Sequence, residues 1–143
     1  DQRELIESTP SLQLDGIRVG GAAQTTIGFG ADIKATDNLK FDANANHYAK
    51  LYSNLGSDVT ELELPSFTLL DLGATYSHVL SNGQVLRLRT NVFNVFGTEY
   101  ISRSTSAVAA SADSSENWNG VNKNNFVNFG QTRTWNVSLK YSF

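Results

Sequence analysis

The residues that end the chain, 134–143, alternate without a fault. Trp135, Val137, Leu139, Tyr141 and Phe143 are apolar, whereas Thr134, Asn136, Ser138, Lys140 and Ser142 are polar or small. Successive side chains of a strand point to opposite faces, so the segment predicts a strand with one apolar face and one hydrated face, closed by a terminal aromatic. At about 3.3 Å per residue and a tilt near 40°, such a segment rises roughly 25 Å, the height of the apolar band around an outer-membrane barrel. Strands of soluble domains are usually about half as long. The segment therefore predicts the closing strand of a transmembrane β-barrel.

The same alternation recurs upstream. Over 24–35, Ile27, Phe29, Ala31 and Ile33 oppose Thr26, Gly28, Gly30, Asp32 and Lys34. Over 39–52 the odd positions Leu39, Phe41, Ala43, Ala45, Ala49 and Leu51 are apolar, and the even face begins Lys40, Asp42, Asn44, Asn46. Over 67–80, Leu70, Leu72, Ala74 and Tyr76 are set against Asp71, Gly73, Thr75 and Ser77. The run 84–96 is less clean, with Leu86, Leu88 and Val92 opposing Arg87, Arg89 and Asn91. With the last segment, the sequence predicts an all-β, antiparallel, up-and-down sheet of five strands.

Register constrains the turns. Keeping Ala35 with Leu39, and Leu80 with Leu86, on one face requires an odd number of residues between facing positions. Thr36-Asp37-Asn38 and Ser81-Asn82-Gly83 suit three-residue loops whose last residue is left-handed. The tight form of the first hairpin sets Lys34 opposite Lys40 and Asp32 opposite Asp42, whereas a five-residue loop pairs Asp32 with Lys40. Both registers remain open from the sequence. The connections at the other end are long: 53–66 is acidic, with Asp58, Glu61 and Glu63, and 102–125 is rich in Ser, Ala and Asn. Short turns at one rim and long loops at the other are the outer-membrane pattern, with the turns periplasmic. The C-terminus then lies in the periplasm and Trp135 toward the outer rim. The segment before Gln24, with Gly16, Gly20 and Gly21, is expected to enter from the outer side, and residues 1–15 to be loop or the end of an earlier strand.

Composition agrees with this class. The 143 residues suffice for one domain, and 40% hydrophobic with 17% charged residues is too mixed for disorder. The longest apolar run is 107–110, far short of the roughly 18 residues a helical span needs, and mean hydropathy is negative. Cysteine is absent, which removes disulfides and thiolate metal sites. A net charge of −3 without a basic stripe argues against a nucleic-acid partner.

Magnitude decides which face meets lipid. Arginine at the bilayer midplane costs about 2–4 kcal/mol on the lipid side, so Arg87, Arg89, Lys34, Lys40 and Lys140 are expected to face the lumen, with Asp32 and Asp42 beside them. The apolar set Trp135, Val137, Leu139, Tyr141 and Phe143 is then expected to face lipid. The alternative is a soluble sandwich or lipocalin-like barrel with the apolar face as its core.

The segment GQTRTWNVSLKYSF resembles the last strand of TonB-dependent outer-membrane receptors, whose terminal aromatic and alternating apolar residues form the signal read by the barrel-assembly machinery. NVFNVFGTEY is similar to that family's penultimate-strand motif at Asn94, Val95, Phe96, Gly97 and Tyr100. Gly97 stands in place of the usual Asp, and Thr132 where a Pro commonly precedes the Arg matched by Arg133. The resemblance spans 69–143 and extends more loosely over 16–55, where HYAKLYSNL resembles receptors of Bacteroidetes-type bacteria. These receptors close about 22 strands around a plug. The resemblance thus implies that residues 1–143 are the C-terminal part of the barrel, that the plug and the TonB-contacting segment lie outside this chain, and that the location is a Gram-negative outer membrane. Its implied role is to supply wall, outer loops and assembly signal to a receptor importing a scarce nutrient. The implied partners are outer-membrane lipid, the rest of the barrel and plug, TonB, the assembly machinery and a surface lipoprotein. A passive porin or a barrel-anchored adhesion protein is the competing membrane reading, told apart by the presence or absence of an upstream plug.

No enzymatic constellation is expected, and no cofactor or metal. His47 and His78, the two histidines, fall at lipid-facing parity near strand ends and suit rim positions better than metal ligation. Gly28 and Gly30 lie within a strand and read as inward glycines that let the sheet curve or the plug approach. Asp113 and Glu116 are calcium candidates in the long loop, against the simpler reading of a hydrated acidic loop. Tyr48, Tyr52 and Trp118 are candidates for stacking on a ligand at the outer mouth, or for interfacial aromatics.

Overall fold

Alternation along each strand becomes alternation of whole rows across the sheet. The computed structural model describes residues 20–53 and 62–143. Strands β1 (Ala23–Lys34), β2 (Leu39–Tyr52), β3 (Glu63–Leu64), β4 (Phe67–Val79), β5 (Val85–Phe93), β6 (Ile101–Ser104), β7 (Asn117–Trp118), β8 (Val121–Asn122), β9 (Val127–Phe129) and β10 (Thr134–Ser142) follow in order. The main sheet is antiparallel and open, in the order β1-β2-β4-β5-β10, with β3 beside β2. Pairing carries Ile33, Phe41, Ala74, Thr90 and Val137 in one row and Ala31, Ala43, Leu72, Val92 and Trp135 in another. Between them runs Asp32, Asp42, Gly73, Asn91 and Asn136, and on the short-turn side runs Lys34, Lys40, Thr75, Arg89 and Ser138. Over these middle rows one face is therefore apolar, Thr90 excepted, and the other polar across the full width of the sheet.

The turn between β1 and β2 takes the tight register, with Lys34 opposite Lys40 and Asp32 opposite Asp42. Its closure differs from expectation. Among the described non-glycine residues only Lys50, Asn94 and Asn119 have positive φ, so Asn38 is not left-handed. Instead Thr36 Oγ1 accepts from the amides of Asn38 (3.3 Å) and Leu39 (3.0 Å), a side-chain turn that removes the need for a left-handed residue. The turn between β4 and β5 follows expectation, with Gly83 at φ 80° and Leu80 N donating to Gln84 O at 2.7 Å. Strand β5 ends at Phe93 rather than Phe96, because Asn94 (φ 50°) and Gly97 (φ 65°) turn the chain away.

Both long connections leave from the end opposite the short turns. Strand β3 pairs Leu64 with Leu51 in the register that β4 resumes from Phe67, and Pro65, lacking an N–H, interrupts the ladder between them. Asp58 and Glu61, residues 1–15 and Gly16 lie outside the described residues; Gly21 (φ 74°) leads into β1 and donates to Tyr52 O at 2.8 Å.

The stretch 102–125, expected to be plain loop, is folded. Strand β6 pairs with β9, and β7 with β8 through Asn119 and Gly120, both at positive φ, the pairing of residues a tight hairpin turn prefers. Asparagine side chains supply much of its hydrogen bonding. Asn117 accepts from Ser111 N (2.9 Å) and donates to Ser111 O (2.8 Å); Asn125 does the same with Val108 (2.8 and 2.9 Å). Beneath this cap lies the buried cluster Leu51, Leu64, Ile101 and Val121, flanked by Phe67, Trp118 and Val127. The buried hydrophobic side chains among the described residues thus sit at the long-connection end, not on the sheet faces.

Candidate functional site

The apolar face carries its side chains into open space. Phe29 is 74% exposed, Trp135 73%, Leu139 67% and Val137 53%, and no described element packs across them. Tyr141 and Phe143 end this face at the short-turn rim, with ring centroids 6.3 Å apart. Tyr76 and His78 lie beside them, stacked at 6.5 Å. At the other rim stand Trp135, Phe96 and Phe129. Each of the predicted assembly-signal residues Trp135, Val137, Leu139 and Tyr141 falls in an apolar row, and Phe143 follows in the same alternation.

On the polar face, Asp42 and Arg89 form a two-pronged ion pair, Nη1 to Oδ1 at 2.9 Å and Nη2 to Oδ2 at 3.0 Å. Arg89 also donates to Thr75 Oγ1 at 2.9 Å. Gly73 makes this possible: it stands opposite Asp42, and a Cβ there would lie 2.3 Å from Asp42 Oδ2. Arg87 donates to Ser77 Oγ at 3.3 Å, and Asp32 is exposed across from Asp42. Gly28 and Gly30 leave space for the side chains of Asn46 and Asn44, whose Oδ1 atoms would meet an added Cβ at 3.0 and 2.9 Å. No signal of local spacing points to Thr75 or Gly73, because their roles arise across strands.

The stretch Asn91 to Tyr100 forms a clasp at the top of β5. Asn94 is buried in a left-handed conformation, and its Nδ2 donates to the carbonyls of Thr98 (2.9 Å) and Gln131 (3.1 Å) while Oδ1 accepts from Thr98 N (2.8 Å). Its own amide donates to Asp71 Oδ1 at 2.8 Å. One side chain thus closes its own turn and ties it to the residues leading into β10. Tyr100 stacks on Phe67 at 4.1 Å, and Phe67 on Tyr48 at 5.0 Å. The Tyr100 ring also lies over Gly130, where an added Cβ would come 1.9 Å from Cζ, a covering of glycine by an aromatic ring that leaves room for no side chain.

A cleft of about 490 Å³ opens where His47, Thr68, Phe96, Glu99, Tyr100 and Trp118 meet, within the size range of small-ligand sites. His47 Nδ1 lies 2.9 Å from Thr68 Oγ1, and Trp118 meets Phe129 edge-on at 5.1 Å. The structure brings His47 and Trp118 together at this cleft but leaves Tyr52 outside it, buried with its hydroxyl 3.5 Å from Glu63. His78 lies far off at the short-turn rim. Among the described residues no group of His, Asp or Glu is arranged to hold a metal. Asp113 instead caps the 3₁₀ turn Ser114–Glu116, accepting from Ser115 N at 2.9 Å, and Glu116 accepts from Ser111 Oγ at 2.6 Å. Hydrogen bonds from the Ser115 side chain and backbone hold the Asp113 carboxyl below the usual aspartate range.

Comparisons with protein-family models, with curated proteins and with solved structures return no match to this chain.

Proposed function

We propose that this chain forms part of the wall of an outer-membrane β-barrel, with its apolar face toward lipid and its polar face toward the lumen. The observation that carries the reading is the broad apolar face, broken in its middle rows by Thr90 alone, that five paired strands carry without a covering layer among the described residues. Burying a large aliphatic or aromatic side chain is worth about 1.5–3 kcal/mol. Leaving Ile27, Phe29, Ile33, Trp135, Val137 and Leu139 in water therefore forfeits on the order of 10 kcal/mol, comparable to the whole stability of a domain. Lipid contact removes that penalty. Aromatic side chains at both rims suit the two membrane interfaces. The open edges at β1 and β10 would be met by further strands, since unpaired edges are not tolerated in hydrocarbon.

Within this class the reading favoured is a TonB-dependent receptor. Support comes from the resemblance at Asn94, Val95, Phe96, Gly97 and Tyr100 and from the terminal alternation ending in Phe143. The segment supplies wall, outward loops and assembly signal, with the short turns and Phe143 in the periplasm. The plug, TonB and the assembly machinery are the partners this reading entails, and uptake of a scarce nutrient is the activity. Such uptake needs no chemistry from this wall.

The test uses the intact polypeptide with Trp118→Phe, so that within this segment Trp135 alone reports. Brominated lipid is expected to quench Trp135 emission in reconstituted membranes, and the unboiled protein to migrate as a compact, heat-modifiable band. A stable, detergent-free monomer with unquenched Trp135 overturns the membrane reading. An upstream reading frame without a plug-like domain overturns the receptor and leaves a passive porin or adhesion barrel.

A further inference from the structure

Asn-Gly occurs at Asn82-Gly83 and at Asn119-Gly120, and in both places it forms the tip of a turn. An asparagine loses its amide most readily before glycine, which has no Cβ to crowd the five-membered ring that must form. Both asparagines are exposed, and a Cβ added at either glycine would meet nothing within 4 Å, so crowding does not distinguish the two sites. Hydrogen bonding does. Asn82 Oδ1 accepts from Gln84 N at 3.2 Å, its Nδ2 donates to the Gln84 side chain, and Gly83 N donates to Leu80 O at 2.9 Å. Among the described residues, neither the Asn119 carboxamide nor the Gly120 amide makes such a bond. Asn119 (φ 46°) and Gly120 (φ 85°) are the two turn residues between Trp118 and Val121.

We infer that Asn119 is a site of spontaneous covalent modification in the folded protein, with water as the only co-reactant, and that the fold blocks the same reaction at Asn82. The Gly120 nitrogen bonds to Asn119 Cγ, the Cγ–Nδ2 bond breaks, and ammonia leaves carrying the proton that Gly120 gave up. Water then opens the cyclic imide at one of its two carbonyls, giving aspartate or isoaspartate. The site matters because of where it stands. Asn119 and Trp118 line the cleft with Glu99, the one carboxylate of that lining. Conversion therefore adds a second negative charge to the cleft. The isoaspartate product also inserts a methylene into a turn of two residues, which displaces Trp118 from its edge contact with Phe129. The cleft thus changes charge and shape with the age of the molecule, whichever face of the sheet meets lipid.

The test follows the intact polypeptide, kept native in one sample and unfolded in guanidinium in the other, during incubation at mildly alkaline pH in water enriched in heavy oxygen. Each conversion fixes one heavy oxygen in the new carboxyl. Digestion in ordinary water then leaves any later conversion unlabelled, and fragment ions assign the label to a residue. In the native sample, label should enter residue 119 about tenfold or more faster than residue 82, where hydrogen bonds must first be given up. Unfolding should bring the two rates together by raising that of residue 82. Equal or faster labelling of residue 82 in the native sample overturns the inference. So does labelling of residue 119 that the native fold suppresses as strongly as it suppresses residue 82.

Discussion

Asp42 and Arg89 are bound to each other across a strand to which neither belongs. Asp42 lies on β2 and Arg89 on β5, and the carboxylate spans β4 by lying over Gly73. The pair therefore cross-links three strands, and it answers the repulsion that the tight β1–β2 register creates by setting Asp32 against Asp42. Charges on neighbouring strands are insufficient to choose that register; a cation two strands away relieves it.

Gly73→Ala is expected to lower stability by about 1–3 kcal/mol, because its Cβ would occupy the space of the Asp42 carboxylate. The same substitution made on Asp42→Ala should be nearly neutral. Thermal shift of the heat-modifiable band measures both, and equal losses in the two backgrounds would refute the steric account.

A double-mutant cycle with Asp42→Asn and Arg89→Gln should give a coupling of about 1 kcal/mol. The side chains are 21% and 40% exposed, so the two-pronged geometry is partly screened by water. Arg89→Lys should recover less than half of it, since a single ammonium cannot reproduce the fork.

Removing the Asn94 clasp should be among the most damaging single changes in this segment. Asn94→Ala abandons three side-chain hydrogen bonds and places alanine at a φ of 50°, for a combined loss of about 2–4 kcal/mol. Asn94→Gly relieves the backbone term alone and should fall between wild type and Asn94→Ala in denaturant midpoint.

Arginine on alternate residues of β10 separates its two faces. Leu139→Arg should cost about 2–4 kcal/mol of membrane folding energy, and Ser138→Arg only the roughly 0.2–1 kcal/mol of a like-charge pair with Arg89 opposite. Folding yield into lipid vesicles reads the difference, and equal tolerance of the two would contradict a lipid-facing Leu139.

The Asp113 cap carries a pH signature. Its carboxyl is held below the usual aspartate range by Ser115, so its contribution is fully present above the unfolded value and is lost as pH falls through the lower, folded one. The Ser115 amide should stay protected from exchange at neutral pH and lose protection only under strongly acidic conditions. In Asp113→Asn that step should vanish.

The five main strands were legible because alternation is local: the nine consecutive residues of β10 state their own periodicity, and Gly83 announces its turn. The first register was not legible, since Arg89 is remote in sequence from the hairpin it relieves. The folded cap is hidden from the sequence for two reasons. Its hydrogen bonds run through asparagine side chains, which leave no period, and the Asn119-Gly120 pair, a recognisable hairpin signal, sits inside a Ser- and Asn-rich stretch with the composition of a loop. The end of β5 is hidden because Val95 and Phe96 extend an apolar pattern that the Asn94 backbone has already left. The Tyr100–Gly130 contact has no sequence signal beyond a glycine.

The tie from Asn94 to Gln131 bears on how the chain finds its native order. Strands β5 and β10 are separated by residues 94–133, so bringing them together from a slack chain means searching a large conformational volume. Once Asn94 holds Gln131, only a few residues separate the strand ends. By polymer scaling, a tenfold shorter span lowers the entropic barrier by about 2 kcal/mol. In any folding order that makes this bond before β10 pairs, the final strand meets its neighbour already near register instead of diffusing toward it.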